Sequence, residues 1–534
     1  MAEEKAEKKK PVTISRIFNW IAAGLLSLLL VAGLIFQPPR KVIALLLVFL
    51  CACTVLPKPA RKWFWLSVAV IVLALIVWVF LPDETEGWRP YTFDDELAAL
   101  KAKYAIPDSE NAATMYSRLL ENHDANDWGP NLPDPNVYHL AQSKPWLSKD
   151  YPELAQWLHQ ENSTIIRLLE ASRIRKCRFP IPPDIMSVGP VMKRSPIMRQ
   201  WAFLLLTASN NDIAEKRPDQ ALEKCVALLR MAKHVCQQPT TADILVGNAL
   251  EALAIRQFKV IVVCENPTEE QLIVVESALR EIEHNWCSDL YRILEHEKLM
   301  MKNLLAPLWE TSTKGKIRLA RDPSAAIRAQ LAEDIPPLAY WQRKLAKART
   351  ILAWFFLPST PQKAAKIIDA SYNSFYAMAE PDFDWEKEPV QASRCPKLNY
   401  AFMIELLTDI LEPPYRRIHE IYLRTVADHR GCQIIIGLRR YKNKTGQWPK
   451  SLDDIKSSAP PEIFVDPINA GSFVYKPADD SFTLYSKGQN NIDDDGEGED
   501  YGDGTGTDDW PIWPPRNRDT KEQAADNQAG QSNG

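Results

Sequence analysis

The stretch PDQALEKCVALLRMAKHVCQ, residues 218–237, decides the fold class. Its small and apolar residues Ala221, Cys225, Leu228, Leu229 and Ala232 recur at spacings of mostly three and four. That period places them on one stripe of a helix, with the charged residues turned away. An apolar run over residues 197–209 precedes it. The polar residues 210–217 between the two predict an antiparallel helix pair.

The same style extends outward in both directions. Residues 111–122 form a helical run that opens after Asp108 and Ser109, both good N-cap types. Residues 152–173 carry Leu154, Trp157, Leu158, Ile165, Leu168 and Leu169, which predicts one helix there. Residues 241–264 are long and apolar. Residues 269–305 are longer and more charged, with Pro267 just before and Pro307 just after. Further helices are expected over 324–332, 338–356, 362–379 and 400–411. Between Trp88 and Arg430 the glycines are Gly129, Gly189, Gly247 and Gly315, whereas nine of the chain's 19 glycines follow Ala470. Gly-poor amphipathic sequence means helices, and Gly-rich sequence means turns and strands. The expected fold is therefore mainly α, with an α-helical body over 82–411 built as a solenoid or a bundle.

Upstream of the body, residues 17–36, 42–56 and 63–81 are apolar blocks. About 20 apolar residues at 1.5 Å rise cross a hydrocarbon core of roughly 30 Å. The expectation is a three-helix membrane anchor over 17–81 behind a cytoplasmic tail, 1–16. The basic residues Lys5, Lys8, Lys9, Lys10 and Arg16 in the tail, and Lys58, Arg61 and Lys62 in the second loop, orient it. With three spans, the rest of the chain lies outside a bacterial inner membrane, in the periplasm. If the 15-residue middle block does not span, the rest is cytoplasmic.

A net charge of -4 gives no basic footprint for nucleic acid. Seven cysteines follow residue 81: Cys177, Cys225, Cys236, Cys264, Cys287, Cys395 and Cys432. None forms a CxxC pair. They read as buried thiols, with room for one disulfide if the body is exported.

The body offers little sign of catalysis. Its histidines are His123, His139, His159, His234, His284, His296, His419 and His429, without an HExxH. His284 and Cys287 stand at i and i+3, a spacing that could hold half a zinc site. No second matched pair follows, so they read as a surface or core pair. There is no GxSxG, phosphate loop or dinucleotide glycine motif. No catalytic residue is assigned.

The last hundred residues differ. A helix is expected over 416–441, then a turn through Gly446, Trp448 and Pro449. Residues 472–475 and 481–485 read as the two strands of a β-hairpin. The expectation is a small α+β C-terminal module over 412–515, followed by a polar, disordered tail over 516–534.

This module resembles the C-terminal globular domain of the major pseudopilin of type II secretion systems. The resemblance rests on Leu438, Tyr441, Gly446, Trp448, Pro449 and Leu452, then Asp466, Pro467 and Tyr475, then Leu484, Tyr485, Ser486 and Gly488. The family's N-terminal processing site and single long hydrophobic helix have no counterpart here. In the body, residues 110–116 and 177–180 resemble segments of large helical membrane proteins of planctomycete-type bacteria, a group without an established activity.

The pseudopilin resemblance implies calcium in the loop after the hairpin, and the loop's own chemistry suits that ion. Asn491, Asp493 and Asp495 alternate, with Gly496, Glu497 and Glu499 next. Calcium takes six to eight oxygens, and alternating carboxylates with a turn glycine supply them. The run resembles the start of an EF-hand loop, although its twelfth position is Gly502. Residues 488–515 hold nine acids and no Lys or Arg. A solvated acidic tail is the alternative, against which stand the hairpin before the loop and Trp510, Ile512 and Trp513 after it.

These readings lead to a membrane-anchored envelope protein that binds other envelope proteins as a scaffold, with calcium stabilising its C-terminal module. The alternatives are a hydrolase-like enzyme with a site in the helical body, or a component of a secretion or pilus-like machine.

Overall fold

The computed structural model describes residues 62, 65–66, 68–70, 73, 87–123, 128–182, 189–320, 360–385, 415–498 and 507–515. Strand β1 (Trp88–Pro90) leads into α1 (Asp94–Lys103), followed by the short helices α2 (Ala113–Glu121), α3 (Asn136–Ser143), α4 (Pro152–Gln160) and α5 (Asn162–Ser172). Longer helices come next: α6 (Gly189–Ala214), α7 (Pro218–Cys236), α8 (Thr241–Cys264), α9 (Glu269–Arg280) and α10 (Trp286–Leu305). Strands β2 (Trp309–Ser312) and β3 (Ile317–Leu319) and helix α11 (Pro361–Ala377) precede the longest helix, α12 (Tyr415–Thr445). A single turn of helix, α13 (Asp453–Lys456), and strands β4 (Val474–Pro477), β5 (Phe482–Ser486) and β6 (Trp510–Trp513) complete the order.

The chain is mainly helical, as the sequence predicts. Helices α6 and α7 pack together as the expected pair, and α7 packs on α8. A Cβ at Gly247 in α8 would lie 2.3 Å from Cys236 Sγ, so only glycine lets these two helices approach so closely. Several helix starts are capped by side chains that satisfy otherwise orphaned N–H groups. Thr240 accepts from Asp243 N, and Thr268 with Gln271 forms a reciprocal capping box.

Some expectations are corrected. The expected single helix over 269–305 is two helices, α9 and α10, because Asn285 caps a new start by accepting from Ser288 N at 3.0 Å. The expected helix over 152–173 breaks at Glu161 into α4 and α5. The body also holds a small antiparallel sheet in the order β1-β2-β3, where Gly315 (φ +73°) turns β2 into β3. Its strands are three or four residues long, too short to leave an alternating pattern.

The integral-membrane expectation is corrected as well. Among the described residues no helix is long and apolar enough to cross a membrane. The expected spans 17–36 and 42–56 lie outside the described residues, and of 63–81 only scattered helical positions such as Trp65, Leu66 and Leu73 are described. The anchor, the inner-membrane location and the periplasmic orientation thus find no support in the described helices. The expected helices over 324–332, 338–356 and 400–411, and the tail over 516–534, also lie outside the described residues.

Two apolar cores meet along α8 and α12. The larger runs from Ala112 to Trp513 and includes Tyr116, Trp201, Leu228, Phe258, Ile435 and Ile512. The second contains Ile244, Trp286, Leu290, Tyr372, Tyr415 and Tyr422. Full burial of one such large side chain contributes about 1.5–3 kcal/mol. Along their length α8 and α12 carry matched polar contacts. Lys259 Nζ lies 2.6 Å from Asp428 Oδ1, with both groups nearly out of solvent. Arg439 Nε donates to Val262 O at 2.7 Å, placing a cation where the α8 dipole ends negative.

The C-terminal sheet has the order β4-β5-β6, all antiparallel. Strands β4 and β5 are the expected hairpin, and β6 adds a third strand. The sheet lies on α12. A Cβ at Gly431 would lie 2.5 Å from Ile512 Cγ2, so this glycine lets β6 seat on the helix.

Candidate metal site in the C-terminal loop

After β5 the chain must turn, and Gly488 supplies the left-handed backbone for it (φ +64°). A Cβ there would also run into Asp508 at 2.2 Å. The loop then folds back on itself, with Asn491 and Asp495 in left-handed conformations that Asn and Asp tolerate. Gly498 and Asp508 close it as an antiparallel bridge ahead of β6.

Carboxylates hold this loop from inside. Asp508 Oδ2 accepts from Gln489 N at 2.7 Å and from Asn490 N at 3.1 Å. Asp509 Oδ2 accepts from Asp494 N at 3.0 Å and Gly496 N at 2.8 Å. The buried Oδ1 of Asp508 has no hydrogen-bond partner. As a result Asp494, Asp508 and Asp509 each bring a carboxylate oxygen within 4.8 Å of the others. Burial pushes the Asp509 carboxyl above its usual range, and the N–H groups of Gly496 and Asp494 oppose that.

The residues singled out in the sequence sit around this cluster. Asp493 accepts from Tyr485 Oη at 2.6 Å and from Asp495 N at 3.1 Å. The tyrosine hydroxyl holds its carboxyl below the usual range. Asp495 is exposed and receives Lys476 Nζ at 2.5 Å. Asn491 and Glu497 are exposed, and Glu497 N donates to Asp494 O at 3.0 Å. Glu499 lies outside the described residues. The alternating pattern therefore selects the side of the loop that faces Tyr485 and Lys476. The residue between, Asp494, joins Asp508 and Asp509, which the spacing argument missed. The available signal was the Asp508-Asp509 pair immediately before Trp510, where β6 returns the chain to the sheet.

Beneath the loop, Asp466 is fully buried. Its Oδ1 accepts from Ile468 N at 2.9 Å, its Oδ2 has no hydrogen-bond partner, and burial raises its carboxyl. Asn469 ties the same turn to the loop by donating to Gly488 O at 2.9 Å.

Several histidines of the body are structural. His234 sits between Tyr116 Oη (3.1 Å) and Ile174 O (2.6 Å), and burial pushes it down to about 4. Burial does the same to His296, also to about 4. His419 stacks on Trp385 with ring centres 4.2 Å apart. A cavity of about 310 Å³ opens beside His123, Trp128, Glu161 and Trp201. His123 Nε2 is hydrogen-bonded there to Gln200 Oε1 at 2.8 Å. The cysteines Cys177, Cys225, Cys236, Cys264, Cys287 and Cys432 are free thiols, and Cys395 lies outside the described residues. Comparison with family models, with curated proteins and with solved structures finds no match to this chain.

Proposed function

We propose that this chain is a protein-binding scaffold whose C-terminal α+β module is stabilised by a calcium ion held by Asp494, Asp508 and Asp509. The observation that carries the proposal is their convergence within 4.8 Å while backbone N–H groups of the loop occupy one oxygen each of Asp508 and Asp509. Like charges this close repel by about 1 kcal/mol per pair even at the dielectric of water, and a divalent cation reverses the sign. All-oxygen ligation favours calcium over softer metals. The helix α12 followed by a three-stranded antiparallel sheet and an acidic loop supports reading the module as pseudopilin-like. Exposed Ile273 and Val274 on α9, with Tyr291 on α10, support protein binding by the helical surface.

The test is thermal melting of the full chain in calcium and in chelator. Calcium binding only to the folded form adds about 2.7 kcal/mol at a hundredfold excess over Kd. Melting should rise in calcium, and Asp508→Asn with Asp509→Asn should remove the rise. Equal melting with and without calcium would overturn the calcium site. A second reading, a hydrolase-like enzyme, draws on the cavity that His123 and Glu161 both line. Turnover of a model ester that Glu161→Gln abolishes would favour it over the scaffold.

A further inference from the structure

A second cluster, made of residues outside the loop, lies at the seam between the two cores. Glu251 is in the middle of α8, His429 in the middle of α12, and His284 in the turn between α9 and α10. His284 Nε2 lies 2.9 Å from Glu251 Oε1, and His429 Nδ1 lies 3.3 Å from the same oxygen. One ligand-type atom from each residue lies within 4.8 Å of the other two. The side chains of Glu251, His429 and His284 are 3 %, 6 % and 13 % exposed. The His284 and His429 ring centres are 4.8 Å apart.

We propose that Glu251, His284 and His429 form a binding site for a divalent transition metal of the zinc type, which clamps α8, the α9–α10 turn and α12 together. The donor set is two imidazoles and one carboxylate, which suits zinc and does not suit calcium. Two atoms bound tetrahedrally at about 2.0–2.1 Å from one ion stand about 3.3–3.4 Å apart; the His429–Glu251 separation of 3.3 Å matches this, and the 2.9 Å between His284 and Glu251 would have to open slightly. The three donors come from three elements, and each is set by structure that does not depend on a ligand. Asn285 caps α10 directly after His284. Below it Arg292 pairs with Asp289 at 2.8 Å and donates to Cys236 O at 2.7 Å, pinning α10 to the end of α7. On α12 the next residue before His429 is Asp428, fixed by Lys259. A water molecule would complete the coordination, since three protein donors leave one tetrahedral position. The competing account is a trio held by hydrogen bonds alone, with Glu251 accepting from both rings.

The experiment uses the full chain, stripped of metal and kept in excess calcium so that the acidic loop is saturated. Zinc is titrated against a chromophoric chelator, and cobalt is then used as a spectroscopic probe. The expected result is one zinc per chain, and cobalt bands of a nitrogen- and oxygen-ligated ion without sulfur charge transfer. Loss of an outer-shell partner alone lowers metal affinity 10–100-fold, so His284→Ala should lower it by at least about 100-fold. Asp508→Asn should leave it unchanged. Should His429→Ala fail to fold, His284→Gln and the cobalt spectrum of the unmutated chain carry the test. Absence of stoichiometric zinc, absence of cobalt bands, or binding that survives substitution of both histidines would overturn the site. So would loss of zinc in Asp508→Asn. Apart from this last outcome, which would place the zinc in the acidic loop, the results are independent of the calcium site, which is read by melting in calcium alone.

Discussion

Gly431 shows how a single hydrogen atom sets a fold. Alanine there gains roughly 1 kcal/mol of helix propensity. Its methyl would also lie 2.5 and 2.8 Å from Cγ2 and Cδ1 of Ile512, a residue with no exposed surface. Overpacking of this kind costs about 1–3 kcal/mol, so Gly431→Ala should lower the denaturant midpoint, and Ile512→Val should restore part of it. An unchanged midpoint in the single variant would refute the close approach of α12 and β6. The buried histidines predict a pH dependence with a definite sign. Burial holds His234 and His296 at about 4, below the ordinary range near 6.5, so the unfolded chain binds more protons between those values. Their contribution is present above about pH 6.5 and is lost as pH falls toward 4, by up to roughly 3 kcal/mol each. Stability measured by denaturant at pH 7 and pH 5 should therefore fall toward acid, and His296→Leu should flatten the slope. At metal-free Glu251 and His284 the sign reverses for the imidazole. Burial lowers His284, but the Glu251 carboxylate outweighs it and raises the group, so its pairing weakens as pH rises. Burial likewise raises Glu251, and the two imidazoles outweigh it and hold the acid at about 2.

Among the elements, α8 and α12 are the spine. Their ladder of Glu251 with His429, Lys259 with Asp428 and Arg439 with Val262 explains why two long helices can pair while carrying charge inward. Removing one partner of a buried ion pair costs about 3–5 kcal/mol because the other charge is left in apolar surroundings. Lys259→Met should show a loss of that size in chemical unfolding, and Lys259→Met with Asp428→Leu should recover much of it. Failure of the double variant to recover would mean that the contact of Trp510 Nε1 with Asp428 Oδ2, at 3.3 Å, dominates. The same helices show what the sequence could disclose. The bounds of α8 were legible because a mostly apolar stretch from Thr241 ends at Glu265, with Asn266 and Pro267 behind it. The break at Asn285 was hidden, because α9 and α10 both keep three-and-four spacing and the short turn between them carries no glycine or proline, only the capping side chain of Asn285. That break hid the histidine cluster too. By spacing alone His284 shares a helical face with Cys287, whereas its partners stand 33 positions before it and 145 after it. In the loop, composition disclosed an acidic site, but the choice among acids depended on β6, whose four residues lie beyond a glycine-rich stretch.

At the scale of the whole molecule, the core does not divide where composition does. Ala427, Ile434, Ile435 and Leu438 of α12 belong to the same apolar cluster as Tyr116 and Leu228. Truncation before residue 415 should therefore destabilise the helical body, exposing Phe258 and Ile261 to solvent. Circular dichroism with dye binding would detect a loosened helical body, and a truncated chain that melts as sharply as the full one would refute the shared core. The pairing of α8 with α12 also orders events in time. Lys259 must wait for Asp428, 169 positions later, and Phe93 for Asn303, 210 positions later. Contacts so distant along the chain slow folding, because loop closure must be met before they form. During synthesis α8 emerges with its inward charges unanswered and its apolar face bare, and both stay open to solvent until α12 and the C-terminal strands arrive.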